Sequence, residues 1–187
     1  MSRIIVIQFT SLDGVVHDPD GAERSAHGGW AFRHGPQAVA GDKFRLGALL
    51  DTGALLLGRK TWQRFAGIWP TRDDEFSKKM NAIPKLVASR SLRDVRAWSN
   101  STLLRGDLVE EAAERKGDRD LVVAGSASVA HALIDADLVD EYRLLVFPIV
   151  IGEGARLFEP GRASTDLSLA SAHDAGPAVL LVYSRAA

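Results

Sequence analysis

Apolar positions along this chain fall into short runs separated by polar stretches rich in Gly, Ser, Asp and Arg. Arg3–Phe9, Ala54–Leu57, Lys85–Ser89 and Leu121–Ala124 are too short to be helices, so each reads as a buried strand. A weaker strand is expected near Thr102–Leu104. Between these runs the spacing turns helical. Ala38–Leu50 puts Val39, Asp42, Leu46, Leu49 and Leu50 near one face, and a short helix starts near Lys60. Asp74–Met80, the polar segment Leu108–Lys116 and Val129–Ala136 read as further helices, the last opened by Gly125-Ser126-Ala127-Ser128. After Asp140 the pattern changes. Glu141–Ile151, Leu167–His173 and Val179–Arg185 read as strands joined by Gly- and Pro-containing loops, with no helix between them. Alternating strands and helices predict a parallel sheet, and a strand-only tail predicts an antiparallel edge. The expected fold class is α/β, a three-layer α/β/α arrangement with a mixed, mostly parallel sheet and antiparallel C-terminal strands. One domain over residues 1–187 is expected. His17–Pro36 has no periodicity, and a loop that long is usually functional or mobile.

Composition narrows the chemistry. The 187 residues are 46% hydrophobic and 25% charged, values of an ordinary soluble domain with a sizeable core. A formal net charge of −1 gives no basic field for nucleic acid. There is no cysteine, which removes disulfides, thiolate catalysis and cysteine–zinc sites. The five histidines include no pair at i, i+4, so no metal site is expected. Ile4–Phe9 is too short for the core of a signal peptide, and no apolar run nears the roughly 20 residues of a membrane span. A soluble, cytoplasmic protein with no membrane partner is the expectation.

The most informative stretch is Ala54 to Trp62. A buried strand ends at Gly58 and passes into Arg59-Lys60-Thr61, the first turn of a helix. Helix N-termini present unpaired N–H groups with partial positive charge, which attract phosphate. Glycine lets a ligand approach the backbone, and arginine can grip a phosphate with two parallel hydrogen bonds. Alone, the junction reads equally as an ordinary turn with solvated charges. It recurs, however. Lys85–Ser89 runs into Ser89-Arg90, and Leu121–Ala124 into Gly125-Ser126-Ala127-Ser128. Ligands of open parallel sheets lie outside the carboxyl ends of the strands. If the three strands are parallel, these residues share one edge with several phosphate-binding groups. A pyrophosphate suits a helix N-terminus and an isolated phosphate suits an arginine, which points to NADP rather than NAD. Gly152-Glu153-Gly154 lacks the third glycine and the following helix of a dinucleotide fingerprint, and reads as a loop.

The same segments resemble the dihydrofolate reductase-like fold, especially riboflavin-pathway reductase domains and their small stand-alone relatives. The resemblance rests on Ser11-Leu12-Asp13-Gly14, Leu57-Gly58-Arg59-Lys60-Thr61-Trp62, Ala88-Ser89-Arg90 and Ala124-Gly125-Ser126-Ala127, with Leu138–Tyr142 and Phe147–Gly154 following. It implies that NADPH is held by Gly58, Arg59, Lys60, Thr61, Ser89, Arg90, Gly125, Ser126, Ala127 and Ser128. The nicotinamide is then expected near Phe9 and Asp13–Val15, which adds Asp13 and Gly14 to the cofactor residues. It further implies a helix acid sixteen residues before Gly58, which is Asp42, as the group that anchors the substrate or delivers a proton. Phe9 and Trp30 are expected beside the substrate, Trp30 within a covering loop.

Two departures bear on the substrate. Ile7 stands where the riboflavin-pathway reductases typically carry lysine, and Lys43–Gly47 lacks the aromatic that usually flanks a pterin. The function implied is NADPH-dependent reduction of a small heterocycle, pterin- or pyrimidine-like. The alternatives are a non-catalytic NADP-binding regulatory module and a 5-amino-6-(5-phosphoribosylamino)uracil reductase of riboflavin biosynthesis. A homodimer is implied by the resemblance.

Overall fold

Parallel pairing organises the first of two compact units in the computed structural model, which describes residues 2–162 and 164–186. This unit comprises the chain up to Val6 together with Leu46–Asp140. Its strands are the first part of β1 (Ile4–Ser11), β2 (Ala54–Gly58), β3 (Lys85–Ala88), β4 (Ser101–Leu103) and β5 (Leu121–Val123). They lie in the order β4-β3-β2-β5-β1, every pair parallel. Leu56 aligns with Leu86 on one side and Val123 on the other. Every residue of β2 and β5 is buried, which is why both read as unbroken apolar runs.

The helices of this unit are α1 (Leu49–Thr52), α2 (Arg59–Ile68), α3 (Glu75–Ala82), α4 (Leu108–Lys116) and α5 (Ala127–Asp135). α2 packs on β2 and β3, α4 on β5, and α5 on β2, and β2 reaches β3 and β4 reaches β5 by strand–helix–strand crossovers. Buried positions are few per helix, with Trp62 on α2 and Val129, Ala130 and Leu133 on α5. Asp74 caps α3 by accepting from Ser77 N at 3.0 Å, and Asp107 caps α4 by accepting from Val109 N at 2.8 Å. Lys85 is wholly buried, its Nζ donating to Asn81 O at 2.6 Å and Ser99 O at 3.1 Å. The ammonium also lies 4.3 Å from the Trp98 ring centre, and burial pushes its pKa down to about 8.

The second unit comprises Ile7–Arg45 and the chain from Glu141 on. Here the rest of β1 joins β6 (Glu141–Phe147), β7 (Leu167–Ala175) and β8 (Ala178–Arg185) in the order β1-β6-β8-β7. β6 and β7 both run antiparallel to β8. Trp30, Ala31, Leu145, Phe147 and Leu180 form its core. The segment between His17 and Pro36 is tied by the buried Asp18. Burial alone would raise the pKa of Asp18, but hydrogen bonds from Glu23 N, Ser25 N and Ser25 Oγ outweigh it and hold the pKa low. Trp30 Nε1 donates to His17 O at 2.9 Å, so the loop closes on itself. Among the described residues no helix is long and apolar enough to cross a membrane.

Two expectations are corrected. The stretch from Ala38 to Leu50 is not a helix. A 3-10 turn ends at Ala38, α1 begins only at Leu49, and Gly41, Arg45 and Gly47 sit at φ 73°, 50° and 52°, left-handed conformations that break a right-handed helix. Asp42 therefore lies in a turn. The strand expected to reach Ile151 stops at Phe147, because Pro148 has no N–H for the ladder and Ile149 N turns back to Phe147 O at 2.8 Å. The expected α/β class, parallel first and antiparallel at the C-terminal end, is what the chain adopts.

Candidate functional site

At the carboxyl edge of the parallel strands, two strand–helix turns interlock. Gly58 N donates to Gly125 O at 3.0 Å, and the Thr61 and Ser126 hydroxyls are 3.2 Å apart. A Cβ on Gly58 would collide with Ser126 Oγ and lie 3.0 Å from Ser126 Cβ. Gly125 has φ +103°, and a Cβ there would lie 2.9 Å from Thr61 Oγ1. Only glycine at both positions lets the turns approach this closely. The Gly125–Ser126 peptide is cis.

The helices leaving these turns differ from their neighbours. Neither α2 nor α5 has a side-chain N-cap, and neither carries an acid in its first turn. The Ser126 hydroxyl, in the capping position of α5, meets Thr61 instead. By contrast α3 and α4 have aspartate caps, with Glu75 and with Glu110 and Glu111 in their first turns. Acids are favourable at any helix N-terminus, so these two adjacent ends forgo that stabilisation and keep their partial positive charge uncompensated by first-turn acids. Arg59, Lys60 and Ser128 lie exposed on these first turns. On the neighbouring strand Gly58 aligns with Ala88, which brings Ser89 and Arg90 to the same edge. Ser89 Oγ accepts from Leu92 N at 2.9 Å and Ser91 N at 3.2 Å, shaping the turn that presents the exposed Arg90.

The second unit holds an aromatic group. Phe9 stacks on Phe44 with centroids 5.3 Å apart and planes 18° from parallel, and Phe147 meets Phe9 and Trp30 edge-on. Half-buried Asp42 lies two residues before Phe44, in a turn closed by Arg45 N donating to Asp42 O. Arg143 pins that turn by donating to Phe44 O at 3.0 Å and also to Arg45 O. Asp13 is turned inward. Its carboxylate accepts from Ser11 Oγ at 2.7 Å, Gly152 N at 2.8 Å and Ile151 N at 3.1 Å. The Ser11 hydroxyl and those two amides hold its pKa far below the usual carboxylate range.

The chain matches a known family model, the RibD C-terminal domain, over residues 2–181. The chain belongs to this family. Among curated proteins it is similar to the uncharacterized protein YyaP of Bacillus subtilis (strain 168), 30% identical over 116 residues. That match covers 58% of this chain and 60% of YyaP. Among solved structures, a putative riboflavin biosynthesis protein from Shewanella sp. PV-4 shares the fold with a TM-score of 0.75, 24% identity and 99% of both chains covered. RibD of Acinetobacter baumannii matches with a TM-score of 0.65 and 14% identity over all of this chain and 58% of its own. A pyrimidine reductase-like protein of Corynebacterium diphtheriae gives 0.57 and 11%, covering all of this chain and 92% of its own.

In this RibD C-terminal domain the sequence-predicted residues fall into two groups. Gly58, Arg59, Lys60, Thr61, Ser89, Arg90, Gly125, Ser126, Ala127 and Ser128 come together in the first unit, on one sheet edge. Phe9, Asp13, Gly14, Trp30 and Asp42 all belong to the second unit. The expectation that Lys43–Gly47 lacks a ring-flanking aromatic is corrected, since Phe44 lies within it and stacks on Phe9. The signal was present, an aromatic two residues after the candidate acid, but only the folded turn shows what it stacks on. Arg143 was also missed, since nothing in a strand residue announces contacts to carbonyls about a hundred positions away.

Proposed function

We propose that this RibD C-terminal domain is an NADPH-dependent reductase of a small heterocyclic, pterin- or pyrimidine-like substrate. One observation carries the reading: two adjacent helix N-termini at one sheet edge lack both caps and acids, while α3 and α4 have both. In the first unit the α2 and α5 N-termini, with Arg59, Lys60, Thr61 and Ser128, would hold the cofactor's pyrophosphate, and Arg90 its ribose phosphate. Bound NADPH would supply the hydride. In the second unit Phe9 and Phe44 offer an apolar stacking face for a flat ring, and Trp30 anchors the covering loop. Asp42 would anchor a ring nitrogen or hold the proton that balances the hydride. Ile7, where the riboflavin-pathway reductases typically have lysine, favours a substrate without their sugar phosphate.

The test is NADPH oxidation followed at 340 nm against a panel of pterins, pyrimidines and carbonyl compounds, with and without Asp42→Asn. The expected outcome is turnover of a heterocycle that Asp42→Asn lowers by about a hundredfold while NADPH affinity holds, as for loss of a positioned acid–base group. Unchanged turnover would remove Asp42 from the mechanism. Tight NADPH binding with no oxidation by any compound would favour the non-catalytic module. A homodimer is part of the proposal, and sedimentation equilibrium at the monomer mass would contradict it.

A further inference from the structure

The turn after β1 carries an acid whose geometry does not suit a ligand contact. Asp13 Oδ1 accepts from Ser11 Oγ at 2.7 Å and from Ile151 N at 3.1 Å. Its Oδ2 accepts from Gly152 N at 2.8 Å, with Arg156 Nη2 at 3.4 Å. An ionised carboxylate has about four lone-pair sites, and these four donors occupy them. The surroundings repeat the connection. Ser11 Oγ accepts from Val15 N at 2.8 Å, Leu12 N donates to Ile149 O at 2.8 Å, and Val16 N donates to Ala155 O at 2.8 Å. Val15 and Arg156 form an isolated antiparallel bridge. The segments 12–16 and 149–156, outside the named strands, are thereby joined by these backbone links and by one carboxylate. Without it, the Ile151 and Gly152 N–H groups would lose their acceptor.

We propose that Asp13 is a positioning residue, whose carboxylate fastens the Ser11–Gly14 turn to the Ile151–Gly152 backbone and so sets the place of Gly14 and Val15 without touching the cofactor. The inference rests on the reading above in one respect, that the nicotinamide lies beside Asp13–Val15. It changes the role that resemblance implies for Asp13, from holding the cofactor to holding the loops that flank it. Asparagine is the informative replacement. It retains Oδ1 for Ser11 and Ile151, but sets an NH2 against Gly152 N–H and the Arg156 guanidinium.

The experiment compares the full-length chain with Asp13→Asn and Ser11→Ala by amide hydrogen exchange and by NADPH titration with nicotinamide fluorescence. The fastening predicts faster exchange at Gly152 in Asp13→Asn, by about tenfold or more, with Ile151 less affected. Ser11→Ala should instead release Val15 N. Equal exchange at Gly152 in wild type and Asp13→Asn would overturn the proposal, whether or not the protein binds NADPH. With NADPH, Asp13→Asn should keep its affinity, and that for adenosine 2′,5′-bisphosphate, close to wild type while the emission of bound nicotinamide loses its enhancement. A loss of NADPH affinity of about tenfold or more, with the bisphosphate unaffected, is the mark of a direct contact and would also overturn it. Wild-type protein that binds no NADPH would defeat the functional reading and leave the exchange result to judge the fastening alone.

Discussion

Replacing Gly58 by alanine tests the interlocked turns on which the cofactor reading depends. Gly58 has φ −76° and ψ 162°, so alanine needs no unusual backbone and, by restricting the unfolded chain, adds about 0.4–1 kcal/mol of stability. Its methyl group, however, would overlap Ser126 Oγ and lie 3.0 Å from Ser126 Cβ and 3.2 Å from Ser126 N. Forcing a methyl into such a contact costs about 1–3 kcal/mol, because the turns must move apart. The net is a loss centred on about 1.3 kcal/mol, or about 3–5 °C in Tm for a chain of this size. NADPH affinity should fall too, since the displaced groups are the two helix N-termini. Ser126→Gly supplies the control. It removes both the Oγ and the Cβ that the new methyl meets, and because Ser126 makes no capping bond, α5 loses no cap. Thermal unfolding of the four proteins of the cycle should show a coupling of about 1 kcal/mol or more, with the double variant more stable than Gly58→Ala. A Gly58→Ala protein as stable as wild type, or losses that simply add, would refute the close packing of the two turns.

Three further outcomes are expected. Ala127→Asp puts an acid in the first turn of α5, which should add about 0.3–1 kcal/mol to stability while sharply weakening NADPH binding; equal NADPH affinity would show that no phosphate sits there. Arg90→Ala should reduce the preference for NADPH over NADH by about 1.5–3 kcal/mol, and equal losses for both cofactors would sink the ribose-phosphate assignment. Lys85 supplies a pH signature. Its folded pKa of about 8 lies below the unfolded 10.5, so the unfolded chain binds more protons between those values, and stability due to this residue rises with pH across that window. Wild type should gain up to about 3 kcal/mol relative to Lys85→Met between pH 8 and 10.5 in denaturant titrations, and parallel pH profiles would contradict the burial of a charged amine.

What was legible in the sequence is what is local. α4 is read residue for residue because Asp107 precedes it and Lys116-Gly117 closes it, both signals set by adjacent positions. The turns proposed to hold phosphate are likewise local, strand–glycine–helix junctions a few residues long. Ala38–Leu50 has helical spacing of its apolar residues, yet left-handed conformations at Gly41, Arg45 and Gly47 divide it, and Arg143 fixes the resulting turn from a distant strand. The fastening by Asp13 spans 139 positions to Gly152, and Phe9 finds Phe44 only in the folded unit. Such pairings depend on topology, not on neighbouring residues, so no local pattern announces them.

The most direct test of the cofactor reading is a calorimetric titration of the purified chain with NADPH and, in parallel, NADH, at two salt concentrations. The account predicts that NADPH binds more tightly than NADH by about tenfold or more, and that added salt narrows the difference, as expected for an exposed arginine on a phosphate. Absence of NADPH binding at either salt concentration would contradict it.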